Sequence, residues 1–172
     1  SGKLPVTFPR SLDQVPPFTD YALAGRTYRY MDAEPLYPFG FGLSYAKITY
    51  SDLKLSRKRA KAGQPVRASA TVTNKSDRDA EEVVQLYLTD EEASVPAPRC
   101  ALKGFQRLRL KAGQSRKVRF RITPGMMQIH NAEGHPVLEP GRFTVTIGGC
   151  SPGPRGRALG APEPVTGHFE VR

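Results

Sequence analysis

From residue 46 onward the chain alternates apolar and polar side chains with a period of two. Val66, Ala68, Ala70 and Val72 share one parity while Arg67, Ser69, Thr71 and Thr73 share the other, and the period continues through Val84, Leu86 and Leu88. Val118, Phe120 and Ile122 alternate with Lys117, Arg119 and Arg121, and Phe143, Val145 and Ile147 with Arg142, Thr144 and Thr146. A strand sends successive side chains to opposite faces, so each run predicts a half-buried antiparallel strand with one solvated face. Ile48 and Tyr50 change phase to Leu53 and Leu55, which predicts a bulge around Ser51 and Asp52. A last strand is expected on Val165, Phe169 and Val171. Turn residues in Asn74-Lys-Ser-Asp77, Lys111-Ala-Gly-Gln114 and Glu139-Pro-Gly141 separate the runs at intervals that suit about seven strands in an all-β sandwich. Lys61-Ala-Gly-Gln64 echoes the second of these turns and is too short to signal a repeat. Ser151-Pro-Gly-Pro-Arg-Gly-Arg157 through Gly160-Ala-Pro162 reads as a flexible surface loop.

The first 45 residues follow no such period. They hold nine of the fifteen Phe and Tyr residues, and the run from Arg26 to Tyr45 is aromatic and punctuated by Pro and Gly. Neither strand nor helix fits it, so it reads as an extended docking arm whose rings must be buried against something. At 172 residues the chain is long enough for one cored domain plus this appended segment.

Two patterns in this arm and two beyond it resemble a known family. Gly25-Arg-Thr-Tyr-Arg-Tyr30 followed by Pro35-Leu-Tyr-Pro-Phe-Gly-Phe-Gly-Leu-Ser-Tyr45 is similar to the segment entering the C-terminal domain of glycoside hydrolase family 3 enzymes, which include β-glucosidases and β-xylosidases. Gly2-Lys-Leu-Pro-Val-Thr-Phe-Pro-Arg-Ser11 resembles the end of that family's α/β domain, and Glu82-Val-Val-Gln-Leu-Tyr-Leu88 with Leu102-Lys-Gly-Phe105 resembles its fibronectin type III-like domain. The resemblance implies a linker arm at 1–45, from the end of a missing α/β domain, and a fibronectin type III-like sandwich at 46–172. It implies docking by Arg26, Tyr28, Arg29, Tyr30, Tyr37, Phe39 and Phe41 on that catalytic domain, with Arg26 and Arg29 meeting its acids. Residues 1–11 would then lack their usual partners. Free rings on the arm are expected to make the isolated chain self-associate. The implied function is accessory: stabilising and orienting the catalytic domains of a β-glycosidase, glucoside or xyloside.

Candidate chemistry within the chain is sparse. Glycoside hydrolysis needs two carboxyl groups flanking the sugar, whereas Asp90, Glu91 and Glu92 are consecutive at a strand end and diverge. In the resembled family both catalytic carboxylates precede the matched region, so this chain is expected to be silent alone. Asp32 and Glu34 are expected to pair with Arg26 or Arg29. Gly42-Leu-Ser-Tyr-Ala46 lacks the helix that a nucleophile elbow needs, and Gly40-Phe-Gly42 lacks the strand, helix and third glycine of a phosphate loop. His130, Glu133 and His135 read as a polar hairpin turn, so no metal is expected, and no cofactor either. Cys100 and Cys150 are expected to be free, packed thiols.

Charge adds one further expectation. Residues 1–45 carry four basic and four acidic side chains, so the whole excess of +10 lies on the β region. If Lys111–Gln114 closes a hairpin, Arg107 and Arg109 lie opposite Arg119 and Arg121 on one solvated face, where like charges repel. The expected counterions are Glu81 or Glu82, a parent enzyme's acidic surface, or an anionic polysaccharide, which makes a separate polysaccharide- or polyanion-binding module the alternative function. Nucleic acid is not expected, because Thr, Gln and Ser rather than stacking rings accompany the arginines. No apolar run of about 18 residues and no leader-like start is present, so no membrane partner is expected. Secreted, periplasmic and cytoplasmic compartments all remain open.

Overall fold

The computed structural model describes residues 2–172. A 3-10 turn at Leu12–Gln14 and one helical turn, α1 (Thr27–Tyr30), precede the strands. The strands are β1 (Ile48–Leu55), β2 (Arg59–Ala60), β3 (Val66–Asn74), β4 (Ala80–Asp90), β5 (Ala101–Leu110), β6 (Ser115–Ile122), β7 (Ile129–His130), β8 (Pro136–Val137), β9 (Gly141–Gly148) and β10 (Val165–Val171), with a short helix α2 (Pro154–Ala158) before the last. The chain is all-β. One sheet has the order β1-β3-β6 and the other β2-β10-β9-β4-β5, while β7 and β8 form a small hairpin. Neighbours run antiparallel except β2, which lies parallel to β10.

One hydrophobic core joins the two sheets. Val66, Val72, Val118 and Ile122 come from the first, and Val84, Leu86, Phe143, Val145, Ile147 and Phe169 from the second. The residues of each strand that share the apolar parity are the buried ones. Phe143 and Phe169 stack with centroids 5.4 Å apart. Each such side chain removed from water contributes about 1.5–3 kcal/mol. The phase change in β1 is a register shift between Ser51 and Lys54. Asp52 adopts φ 54° there, a conformation that a short polar side chain tolerates, and accepts the Ser51 Oγ hydrogen bond at 2.9 Å.

Two sequence expectations are corrected by the topology. The Lys111–Gln114 turn does not close a hairpin within one sheet: it carries the chain from β5, at the edge of the larger sheet, to β6, at the edge of the smaller. Arg107 and Arg109 therefore do not face Arg119 and Arg121. Between Ser151 and Pro162, where a flexible loop was expected, α2 folds back with Ser151 and Gly156 buried. Gly156 lies where a Cβ would come within 2.7 Å of the Cys150 Sγ, so only glycine allows this close approach.

Strand β4 departs from half-burial. Val84, Leu86 and Leu88 face the core, yet Gln85 and Tyr87 on the opposite parity are buried as well. The cover is the segment ahead of β1. Leu4 N–H donates to Phe41 O at 2.8 Å, Gly40 N–H to Leu4 O at 2.8 Å, and Phe8 N–H to Tyr37 O at 3.0 Å. Within residues 2–11, Leu4 and Phe8 are thus paired with the later half of the same segment. Phe39 O in turn accepts the Ser151 N–H at 2.8 Å, fixing the pair to the loop after β9.

Candidate functional site: the leading segment and two arginine rows

The leading segment meets the sheets through three polar anchors and a ring cluster. Gln85 Nε2 donates to Gly40 O at 3.2 Å and to Gly149 O at 2.7 Å, while its Oε1 accepts the Tyr87 hydroxyl. Lys3 reaches between the sheets, where its Nζ lies 2.9 Å from Glu82 Oε1 and donates to Gly149 O at 3.0 Å. Tyr50 Oη donates to the same carboxylate oxygen at 3.2 Å. Burial, with the Glu82 charge beside it, holds the Tyr50 phenol well above its ordinary pKa, and burial does the same for Tyr87. Tyr28 Oη accepts the Leu102 N–H at 3.2 Å, and Arg99 N–H donates to Arg29 O at 2.8 Å.

The rings divide into two groups. Tyr28 stacks on Phe39 at 4.3 Å and meets Tyr87 edge-on at 5.9 Å, and Phe41 is buried under Tyr37 at 6.0 Å. Those side chains pack on this chain's own β4 and its cover rather than standing free. Tyr37 keeps partial exposure and touches Phe8 at 6.1 Å. Further back, Leu12, Phe18 and Tyr21 are 87%, 93% and 89% exposed, and Val15 and Leu23 are exposed beside them.

The arm's charges find other partners than expected. Arg26 meets no acid among the described residues: its guanidinium donates to Pro17 O at 2.8 Å, Asp20 O at 2.6 Å and Ala22 O at 3.2 Å, which ties residues 17–22 into a closed loop. Asp32 pairs with Arg99 and Glu34 with Arg10, not with Arg26 or Arg29, because α1 turns Arg29 away toward β5. The Arg29 guanidinium lies over the Tyr30 ring at 5.6 Å, with Nε buried and unpartnered among the described residues. Both residues line a cleft of about 160 Å³ with Asp90, Lys103, Gln128 and His130. Burial there lowers the Lys103 ammonium pKa, with the Arg29 charge adding to the effect, and burial raises that of Asp90.

The two arginine rows lie on the outer faces of different sheets. Arg107 and Arg109 share Glu81, whose carboxyl their hydrogen bonds hold below its usual range. Arg119 and Arg121 stand beside Ser69 and Arg67 across the strand boundary. Glu82, the other expected counterion, is instead buried against Lys3.

At the end of β4, Glu91 accepts the Thr144 hydroxyl and lies 3.4 Å from Arg142, and Glu139 accepts Ser94 Oγ at 2.6 Å. His130 and Pro136 pair across the β7–β8 hairpin, and Asn131 Oδ1 accepts the His135 N–H at 2.8 Å. Among the described residues no three His, Cys, Asp or Glu side chains converge as metal ligands, and no helix is long and apolar enough to cross a membrane. Cys100 and Cys150 are free, and burial pushes their thiols up to about 12 and about 11.

Sequence reasoning missed Lys3, Gln85 and Tyr87 as anchors. For Gln85 and Tyr87 the visible signal is a large ring on the parity of β4 that was expected to be solvated; Lys3 gave none.

Comparison with known proteins agrees with this architecture. Residues 82–151 match the fibronectin type III-like domain family. A putative β-xylosidase of Formosa agariphila is 43% identical over 155 residues, covering 88% of this chain and 20% of that protein. A periplasmic β-glucosidase of Salmonella typhimurium is 41% identical over 160 residues, covering 86% of this chain and 21% of its own. Among solved structures, a β-glucosidase from Erythrobacter marinus superposes with a TM-score of 0.80 at 31% identity, over 99% of this chain and 22% of that one. The family 3 β-glucosidase of Bifidobacterium adolescentis also gives 0.80, at 28% identity, over 99% of this chain and 26% of that one. The chain spans about a fifth of the length of the curated relatives it matches. It belongs, as the region that carries the fibronectin type III-like domain, with the β-glucosidases and β-xylosidases of glycoside hydrolase family 3.

Proposed function

We propose that this chain is the C-terminal accessory part of a family 3 β-glycosidase. Residues 46–172 form its fibronectin type III-like sandwich, and residues 1–45 form the arm that joins the sandwich to the catalytic α/β domain. Its task is to stabilise and orient catalytic domains that hydrolyse terminal β-linked glucose or xylose, without supplying a catalytic carboxylate.

The observation that carries this reading is the exposed apolar loop. Leu12, Phe18 and Tyr21 stand almost wholly in water while Arg26 holds the loop's backbone in one shape. Large apolar side chains left this exposed within one short segment suit an interaction site. The relatives are some five times longer than this chain, so the missing body of such an enzyme is the natural occupant. Docking then falls to Tyr37 and this loop, while Tyr28, Phe39 and Phe41 fix the arm to the sandwich.

The test mixes this chain with the separately produced preceding portion of its parent enzyme and follows hydrolysis of chromogenic β-xyloside and β-glucoside. Recovery of activity and heat resistance is expected. Recovery should weaken for the Phe18→Ser/Tyr21→Ser variant and for Arg26→Ala. Full activity and heat resistance of the catalytic portion alone, or turnover by this chain alone, would overturn the reading.

A further inference from the structure

We propose that the outer face of the β1-β3-β6 sheet binds an anionic polysaccharide, whose carboxylates pair with Lys54, Arg67, Lys117, Arg119 and Arg121. The pairing register sets these cations side by side. Lys54 lies across from Ser69, and Ser69 from Arg119; Arg67 lies across from Arg121, and Thr71 from Lys117. All five side chains take the solvent parity and are exposed. Neighbouring strands are about 4.8 Å apart and alternate residues about 7 Å apart along a strand, so the five form a compact grid rather than a scatter of charge.

What distinguishes this grid is that no acid among the described residues neutralises it. Asp52 is the lone acid within the three strands, and it accepts its neighbour Ser51's hydroxyl at the bulge. None of the five cations makes an ion pair with a described residue. The arginines of β5 are the internal contrast, since Arg107 and Arg109 both meet Glu81. Arg67 directly opposite Arg121 is a like-charge pair that a strand boundary ordinarily avoids. A fold that retains it without a counterion has left that counterion to a ligand.

The surroundings select the ligand class. Between the cations stand hydroxyls of Thr49, Ser51, Ser69, Thr71 and Thr73, which suit sugar hydroxyls, and no outward-parity position of the three strands carries a ring on which bases could stack. A groove of about 420 Å³, within the size range of ligand sites, is lined by Lys54, Arg67, Ser69, Arg119 and Arg121 together with the apolar Leu55, Ala68 and Phe120. The charge argument stands on the geometry alone, whereas the choice of a glycan rests on the reading of the chain as part of a glycan-processing enzyme.

Retention on immobilised polygalacturonate, with neutral xylan as control, tests the proposal at low salt, where exposed charges are least screened. The unmodified chain is expected to be retained by polygalacturonate and not by xylan. Arg67→Ser/Arg119→Ser/Arg121→Ser is expected to weaken binding about tenfold, and Arg121→Ser alone about threefold. Arg107→Ser/Arg109→Ser, whose residues are already paired, should stay within about twofold although it removes two charges to the triple variant's three. Circular dichroism and urea midpoints confirm that each variant is folded. Equal losses in both sets would mean that net charge alone is read, and no retention on polygalacturonate would remove the site; either overturns the proposal. So would tighter binding to xylan or to an oligonucleotide. Because this assay involves no catalytic portion, its failure leaves the accessory reading intact.

Discussion

Replacing Lys3 by methionine tests whether the leading segment is an integral part of the β body. Lys3 and Glu82 side chains are only 14% and 3% exposed, and Nζ lies 2.9 Å from the carboxylate. Truncating the ammonium leaves Glu82 charged between the two sheets without its cation. Removing one member of such a pair costs about 3–5 kcal/mol. Tyr50 Oη still donates to the carboxylate, and the pair's rim touches solvent, so the lower end applies, about 3 kcal/mol. For a domain of this size that is a fall of roughly 6–12 °C in Tm. The assay is urea and thermal unfolding by circular dichroism and tyrosine fluorescence, the chain having seven Tyr and no Trp. Lys3→Met/Glu82→Leu should recover most of the loss, because a well-packed apolar pair in place of a buried ion pair is close to neutral. A Lys3→Met chain that unfolds within about 0.5 kcal/mol of the original would refute the reasoning, since surface substitutions alone give changes of that size.

Two further outcomes follow from single contacts. Gly40 has φ +76°, and a Cβ there would fall 2.2 Å from the Gln85 Oε1, so Gly40→Ala should cost several times the usual mutational ~1 kcal/mol and expose Tyr87 to fluorescence quenchers; unchanged quenching and midpoint would show that Gln85 does not hold the segment there. Burial raises the Asp90 carboxyl, so the fold favours its protonated form: that contribution is complete below the unfolded-chain pKa of about 3.9 and is lost as pH rises through the folded value. Asp90→Asn is therefore expected to raise the urea midpoint near pH 7 and to leave it unchanged near pH 3, and a lower midpoint at neutral pH would show the carboxylate to be stabilising.

The strands were legible in the sequence because period two and burial on one face are a local relation: Val66 to Val72 or Phe143 to Ile147 need only their own parity to declare which face is inward. The bulge at Ser51 and Asp52 was legible for the same reason, as a change of phase. Which strands become neighbours is not local. A turn such as Lys111–Gln114 reads alike whether it closes a hairpin or crosses between sheets, so the two arginine rows, alike in sequence, became one neutralised pair beside Glu81 and one unneutralised grid beside Arg67. The aromatic density of residues 1–45 announced burial without naming the surface. Only the fold decided that Tyr28, Phe39 and Phe41 cover β4, that Lys3 enters between the sheets to meet Glu82, and that Phe18 and Tyr21 stay in water. Sequence sets what each side chain requires, such as an apolar neighbour, a counterion or a positive φ; tertiary packing chooses which distant residue supplies it, because loop closure brings together groups that no spacing along the chain relates.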